Sequence, residues 1–387
     1  MNGTEIILLA FLTIYSYIFY PIILLFLSKL IPHRIVPPAE YYPEITVIIA
    51  AYNEEELIAG ALNSVLNSDY PKDKLNIIVG SDGSEDKTNE IVESFSYNNS
   101  NVKLIKVSRG GKNNLLNNIV PSAQTDIILF MDADVRLNTN TIKNLVVYFA
   151  NPKVGGVIAS QTVVGDGKTE NAGSQGDSVY HRYEEKIRIL EGEIGSNVNS
   201  LGYFYGIRKD LFRNIPNNLV CDDLHNIYCV LESKNRLLFA KDAKAYEVRP
   251  KSLSNEFHRR VRAVAGGWAT VSYHKKLLSA HDYGMTAFFI WSHKIFRWLS
   301  PIFLILLGVT SIFSNYSMMI FYLFVIPQIM LYGFAIIGWI FEKLNIPFTK
   351  LRIFLFFVSM NYSSLLGLFR FLSKRQNAIW NREGFNS

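Results

Sequence analysis

The sequence predicts an α/β domain built on a mixed, mostly parallel sheet and held between hydrophobic segments at both ends of the chain. Three observations carry this. Short β-branched runs at Ile45–Ala50, Leu75–Val79, Val102–Val107 and Ile127–Met131 alternate with stretches of helical composition at Glu54–Asn67, Asp86–Phe95 and Asn113–Val120. Strands that alternate with helices build parallel sheets covered on both faces. Of the 387 residues, 49 % are hydrophobic and 13 % aromatic, and the surplus gathers in Ile6–Leu30 and beyond Met285, which makes the middle a polar domain and the ends membrane segments. Finally, predicted strands run out into polar residues at Tyr52-Asn53-Glu54-Glu55, Ser81-Asp82-Gly83-Ser84 and Asp132-Ala133-Asp134. Ligands of open α/β sheets bind beyond those carboxyl ends.

Taken in order, Glu5–Leu30 is about as long as a bilayer core requires. Its basic flank, Lys29, His33 and Arg34, follows the apolar run, which predicts a retained anchor (1–31) with the N-terminus outside and the remainder cytoplasmic. A connector, 32–44, carries Pro32, Pro37, Pro38 and Pro43 and shows no period. The domain then occupies 45–280. Its second half is mixed: a segment at Val154–Val164, helical stretches at Gly176–Leu190 and Asp222–Ser233, strands at Leu201–Ile207 and Leu237–Glu247, and a long basic helix over Ser252–Lys276. Tyr283–Leu299 mixes aromatics with His293, Lys294 and Arg297, so 281–300 is predicted as an amphipathic interfacial helix. Spans at Pro301–Phe313, Met318–Phe341 and Leu351–Leu372 make up 301–373, and 374–387 is a tail, expected to be cytosolic. Three simple spans would carry Lys374, Arg375 and Arg382 outside, against the positive-inside rule, so one of them is expected to be re-entrant or interfacial.

A net charge of +6 raises the question of a nucleic-acid partner. The basic residues flank the apolar segments instead of forming a stripe with aromatics, which points to membrane lipids and away from nucleic acid. Cys221 and Cys229 are read as two reduced thiols without a His or Cys partner at zinc-ligand spacing. The apolar segments are read as essentially free of ionisable groups, which argues against a transporter.

Asp132 and Asp134, two residues apart at a strand end, point to the same side of the backbone and suit a divalent cation that grips a diphosphate. Asp-x-Asp by itself recurs in surface turns, so its weight depends on its company.

That company is an ordered set. Ile48-Ile49-Ala50-Ala51-Tyr52-Asn53-Glu54, Gly80-Ser81-Asp82-Gly83-Ser84-Glu85-Asp86-Lys87-Thr88, Arg109-Gly110-Gly111-Lys112 and Met131-Asp132-Ala133-Asp134 resemble the family 2 glycosyltransferases, inverting enzymes with the GT-A fold. The resemblance covers about Ile45 to Trp268, and the hydrophobic flanks look like those of the family's membrane-embedded polysaccharide synthases. It implies that Tyr52, Asn53 and Glu54 line a nucleoside pocket and that Asp82 contacts base or ribose, as a carboxylate can by accepting from uracil N3–H or ribose hydroxyls. It implies a nucleotide or phosphate contact for Lys112, and Mg²⁺ or Mn²⁺ on Asp134, with Asp132 on metal, ribose or both and Ala133 between them.

On the acceptor side, Cys221-Asp222-Asp223-Leu224 stands where the family carries its acidic pair. Asp223 is then the general base, and Asp222 replaces the more usual Glu. Acids also favour a helix N-terminus through its dipole. Gly202, in Ser200-Leu201-Gly202-Tyr203, resembles the segment where a Gly lets the acceptor sugar approach, with Tyr203, Phe204 and Tyr205 available to stack. His258-Arg259-Arg260-Val261-Arg262-Ala263 falls where processive synthases carry Gln-x-x-Arg-Trp. Arg259 and Arg262 are expected near the diphosphate, Ala263 replaces the Trp, and Trp268 follows at another spacing on the acceptor side. Trp380 and Arg382 resemble a gating segment.

The expectation is a membrane-anchored, metal-dependent inverting glycosyltransferase. It moves a sugar from a nucleotide-sugar donor, UDP before GDP, to a lipid-linked or glycan acceptor at the cytosolic membrane face. The rivals are a processive synthase that also translocates its product, and a nucleotide-binding membrane protein without catalysis.

Overall fold

The continuous apolar runs of the first half become central strands because both faces of the sheet are covered. In β1 (Ile45–Ala51), Val47 and Ile49 pack into one layer and Ile48 into the other, all at 1 % exposure or less. A computed structural model describes residues 3–31, 34–161, 172–200, 202–248, 253–313, 321–344, 346 and 351–374. Trp380 and Arg382 lie outside the described residues, as does most of the tail.

β2 (Leu75–Asp82), β3 (Val102–Val107) and β4 (Ile127–Asp132) join β1 in parallel. β5 (Val135–Leu137), β6 (Val154–Gln161), β7 (Phe204–Arg208) and β8 (Arg236–Glu247) complete a sheet ordered β3-β2-β1-β4-β7-β6-β8-β5 among the described residues. β7 runs antiparallel to β4 and β6, so the sheet is mixed. The strand order reverses between β1 and β4, and this switch point sets the loop after β1 beside Asp132.

The helices of the first half are α2 (Ile58–Leu66), α3 (Thr88–Asn98) and α4 (Lys112–Ile119). α2 starts later than the expected Glu54, and α3 later than the expected Asp86. Acids at those places serve the turn instead of entering it: the Glu54 carbonyl accepts from Leu57 and Ile58, and Asp86 Oδ1 accepts from the Thr88 backbone N–H at 3.0 Å. The expected strand at Leu201–Ile207 begins at Phe204 because Gly202 turns the chain with φ +79°. After α5 (Thr141–Val146), the domain adds α6 (Ala172–Ile194), α7 (Asp222–Glu232) and α8 (Leu253–Tyr273).

Four helices among the described residues are long and apolar enough to cross a membrane: α1 (Thr4–Leu30), α9 (Ala280–Ile312), α10 (Tyr322–Lys343) and α11 (Arg352–Leu372). α1 and α9 each contain a π-helical turn, at Tyr15–Phe19 and Ile290–Ile295, and Tyr15 and Ser292 hydrogen-bond across the two at 2.9 Å. The interfacial helix expected over 281–300 overlaps the first part of α9, which is kinked at Gly284 (φ +47°). Its polar residues do not face a water boundary. His293 is 2 % exposed, with Nδ1 2.6 Å from Glu191 and Nε2 3.0 Å from Glu184, Arg297 pairs with Glu184, and Tyr20 of α1 donates to Glu191 at 2.6 Å. His293 and Arg297 stand outside the segments read as nearly free of ionisable groups, and their partners lie on α6.

α11 lies along α8 in the same direction, with Tyr362 on Phe257, Gly367 against Val264 and Phe371 on Trp268. Its C-terminal half therefore ends against the domain.

Candidate active site

The loops beyond β1 and β2 are knitted together before any ligand arrives. Asn53, held at φ +52°, accepts from the Glu85 backbone N–H at 2.9 Å and gives its own N–H to Ser84. The Glu54 N–H donates to Thr88 at 2.8 Å, and Glu54 is fully buried. Asn53 and Glu54 thus brace these two loops against each other. Tyr52 presents its ring to the Arg109 guanidinium, 3.4 Å from the centroid. Asp82, 2 % exposed, accepts from the backbone of Gly110 and Gly111 at 2.8 and 2.9 Å and pairs with Arg109. The carboxylate expected to meet a base or ribose is therefore also the clasp of the loop after β3. Arg109 was legible only as part of its motif; its stacking on Tyr52 is a site feature that sequence reasoning missed.

Lys112 opens α4 after Gly111, whose φ of +86° permits the turn. Its Nζ lies 2.8 Å from Asp132 Oδ1 and 3.1 Å from Asp222 Oδ2. This cation therefore joins the two acidic pairs. Burial works against its charge, but the two carboxylates outweigh it and hold the ammonium well above its ordinary value. Burial, with Asp134 and Asp222 nearby, raises Asp132 despite the pull of Lys112. Asp132, Asp222, Lys112, Gly202 and Tyr205 line one small open cleft.

Asp132 and Asp134 close β4 and open the turn into β5. Ala133 between them is buried, and its carbonyl accepts from Arg136 at 3.0 Å. Arg136 also donates to the Leu57 carbonyl at 2.8 Å, through a space that Gly60 leaves free. Arg136, which the motifs do not include, thus fixes the turn that bears the carboxylates. Two carboxylates beside a buried, net-acidic cluster form an oxygen donor set that fits a hard divalent cation.

Asp223 sits in the first turn of α7 beside Asp222. A Cβ on Gly202 would stand 3.1 Å from Asp223 Oδ2, so glycine is required both for that approach and for the positive φ. The Gly202 N–H is held by Ser200 Oγ at 3.1 Å. Burial first, and the Asp222 charge second, raise the Asp223 carboxyl above the ordinary carboxylate range. One further group was missed by the motifs: Lys294 of α9, 7 % exposed, donates to Asn199 at 2.8 Å and thereby ties the membrane helix to this segment.

Several expectations are corrected. Tyr203 is 6 % exposed and Phe204 and Tyr205 are at 1 % or less, so Tyr203 packs in the core and offers no face to a sugar. Tyr205 instead stacks on Phe130 at 5.0 Å and accepts from Asn226 at 2.8 Å. Trp268 packs on Trp298 and Phe371 at 5.2 and 6.4 Å, because Gly267 leaves room for the Trp298 ring, and so fastens α8 to the membrane helices. The expectation for Arg259 is not among these: it pairs with Glu247 at 3.4 Å, at the end of β8 opposite Val135 and so beside Asp134. Arg262 lies close enough to Cys221 for its charge to act on the thiol. Cys229 does have a histidine partner: His225, four residues earlier on α7, places Nε2 3.6 Å from its sulfur.

Comparison with known proteins agrees with this architecture. Residues 46–215 match the sequence profile of glycosyl transferase family 2. The chain is 27 % identical over 158 residues to the beta-monoglucosyldiacylglycerol synthase of Synechocystis sp., covering 40 % of this chain and 33 % of that one. It is 31 % identical over 118 residues to the synthase of the same name from Trichormus variabilis, covering 30 % and 25 %. The chain thus spans a third or less of these curated relatives. Among solved structures, the mannosyltransferase PcManGT from Pyrobaculum calidifontis, in complex with GDP-Man and Mn²⁺, superposes with a TM-score of 0.73 at 19 % identity, over 96 % of this chain and 99 % of that one. The motif order, the mixed sheet with its switch-point carboxylates, and the profile match together place residues 46–215 in glycosyltransferase family 2, within a chain that has the GT-A fold.

Proposed function

We propose that this protein transfers a sugar, with inversion, from a nucleotide-sugar donor to a hydroxyl of a lipid acceptor at the membrane face where α8 meets α9 and α11. The observation that carries the reading is the juxtaposition of two acidic pairs with unequal surroundings. Asp132 and Asp134 end a strand beside the nucleoside loops, and Asp222 and Asp223 open a helix beside Gly202, with Lys112 between the pairs.

Roles follow from placement. Tyr52, Arg109 and Asp82 form the nucleoside side; the Arg109–Tyr52 stack offers a flat surface, and Asp82 accepts hydrogen bonds. Asp134 and Asp132 would hold Mg²⁺ or Mn²⁺, which when bound neutralises charge on the diphosphate. Lys112 adds a positive charge where the leaving group gains negative charge. Asp223 takes the proton of the attacking hydroxyl, and its buried setting raises its basicity. The loss of side chain at Gly202 leaves room for the acceptor beside that carboxylate. A lipid acceptor is favoured by the link from Asn199 through Lys294 into α9, and by relatives named beta-monoglucosyldiacylglycerol synthase. UDP is the expected nucleotide, and GDP, as in the PcManGT complex, is the next choice. A cytosolic domain with the N-terminus outside is the topology that the basic flank Lys29–Arg34 favours.

The test uses full-length protein in detergent with a panel of nucleotide-sugars and Mn²⁺. A donor that binds the native state raises the apparent melting temperature. Asp223→Asn keeps that shift and loses transfer by about 10²- to 10⁴-fold. Full activity in Asp223→Asn removes it as the base, and no shift with any donor removes the whole reading. A single added sugar per acceptor, rather than a ladder, separates this enzyme from a processive synthase.

A further inference from the structure

Helix α7 has a second face that sugar transfer leaves unused. His225 and Cys229 stand at i and i+4, so both project from one side of the helix, and His274, just past the end of α8, closes on them. All three are buried, at 1 %, 0 % and 2 % exposure. The polar atoms form a line. Cys229 Sγ is 3.6 Å from His225 Nε2, His225 Nδ1 is 3.0 Å from His274 Nε2, and His274 Nδ1 is 2.9 Å from Glu232 Oε1. One ligand atom from each of the three residues lies within 4.8 Å of the others.

Burial holds both imidazoles below their ordinary value, His225 at about 4, so both are neutral at pH 7 and carry a lone pair. Burial also pushes the Cys229 thiol up to about 12, so thiolate forms there only against a cation. Two imidazoles and a thiolate are a donor set for zinc-type ions and a poor one for Mg²⁺ or Ca²⁺. Glu232 on the far nitrogen of His274 fixes its tautomer and aims Nε2 at the cluster, the arrangement that supports metal-bound histidines. Glu232 is itself held by Arg213 at 2.7 Å and Lys276 at 3.5 Å.

We propose that His225, Cys229 and His274 form a site for Zn²⁺, which ties the helix bearing Asp222 and Asp223 to the end of α8, where the chain turns toward α9. The cation bonds to one ring nitrogen of each histidine and to the Cys229 sulfur. Each neutral ring keeps its single proton on the other nitrogen, and the thiol proton leaves to solvent. One proton is released, and nothing is oxidised or reduced. The site is separate from the Asp132 and Asp134 pair, and it stands or falls independently of sugar transfer.

Purified full-length protein in detergent, stripped with chelator, is titrated with Co²⁺ while thiolate-to-cobalt charge-transfer absorption is read in the near ultraviolet. The expected band saturates at one cobalt per chain, is displaced by Zn²⁺, disappears in Cys229→Ser and persists in Cys221→Ser. Oxygen ligands at Asp132 and Asp134 give no such band. In parallel, Zn²⁺ raises the melting temperature of the wild type and leaves that of His274→Gln unchanged. Should Cys229→Ser not fold, the wild type and Cys221→Ser decide the matter, since no other cysteine exists in the chain. No band in the folded wild type, or a band that survives Cys229→Ser or is lost with Cys221→Ser, overturns the site and leaves a metal-free hydrogen-bonded chain.

Discussion

The proposed donor side and the proposed acceptor side of this site are built by different means. On the donor side, short loops at strand ends bind one another: Asn53 to Glu85, Glu54 to Thr88, Asp82 to Gly110 and Gly111. On the acceptor side, long helices are held by buried charges that come from distant parts of the chain, as His293 between Glu184 and Glu191 shows. The first kind of order is local and tolerates a small shift of one loop. The second couples the domain to the membrane helices, so one lost charge leaves its partners buried and unpaired.

This contrast can be broken at its strongest point first. Asp134→Ala should abolish the metal-dependent part of nucleotide binding, read as loss of the Mn²⁺-dependent melting shift, while the fold survives because Arg136 holds the turn through the Ala133 and Leu57 carbonyls. Next, Glu184→Gln should cost about 3–5 kcal/mol of stability, read by thermal unfolding in detergent, because His293 and Arg297 both lose a buried counter-charge. A cost below that of a surface substitution would show that the acceptor side is not held by its ions.

Smaller effects sharpen the comparison. Gly202→Ala should destabilise by more than about 1 kcal/mol, since φ is positive there. It should also slow transfer by crowding Asp223, with donor affinity unchanged. The pH profile of kcat/KM gives a further measure. Asp223 works only when deprotonated, and burial with Asp222 raises its carboxyl, so the acid limb should lie above that of a solvated carboxylate. Asp222→Asn removes one cause and should move that limb to lower pH. Arg109→Ala should weaken nucleotide binding by at least about two- to fivefold, the worth of an exposed stack of about 0.5–1 kcal/mol, since the buried Asp82 also loses its counter-charge.

The same division explains what could be read in the sequence. The parallel strands, the Asp132-Ala133-Asp134 turn and the Asp222-Asp223 helix start are contiguous patterns, and each lies where the sequence predicts. Arg136 and Lys294 carry no local signature, because their partners Leu57 and Asn199 are 79 and 95 residues away. Trp268 misled for the opposite reason: an aromatic beside two glycines suits a sugar surface, yet Gly267 makes room for Trp298 instead. His225 and Cys229 show a third case. Their four-residue spacing is visible in the chain, but its meaning depends on His274, 49 residues on from His225.

The paired π-helical turns have a consequence for how the membrane helices can vary. Each widened turn accommodates one residue beyond the α-helical count, so deleting any single residue within 290–295 restores ordinary winding. Because the wider turn has already absorbed that residue, the flanking helices keep nearly the same phase, whereas a deletion farther along α9 would swing everything beyond by about 100° and shift it by about 1.5 Å. His293 and Arg297 address the domain while Gly308 admits Gln328 of α10, so the two halves of α9 answer to different neighbours and must keep their phase. A one-residue deletion at Trp291, within the widened turn, should therefore be far less damaging than a one-residue deletion between 298 and 307.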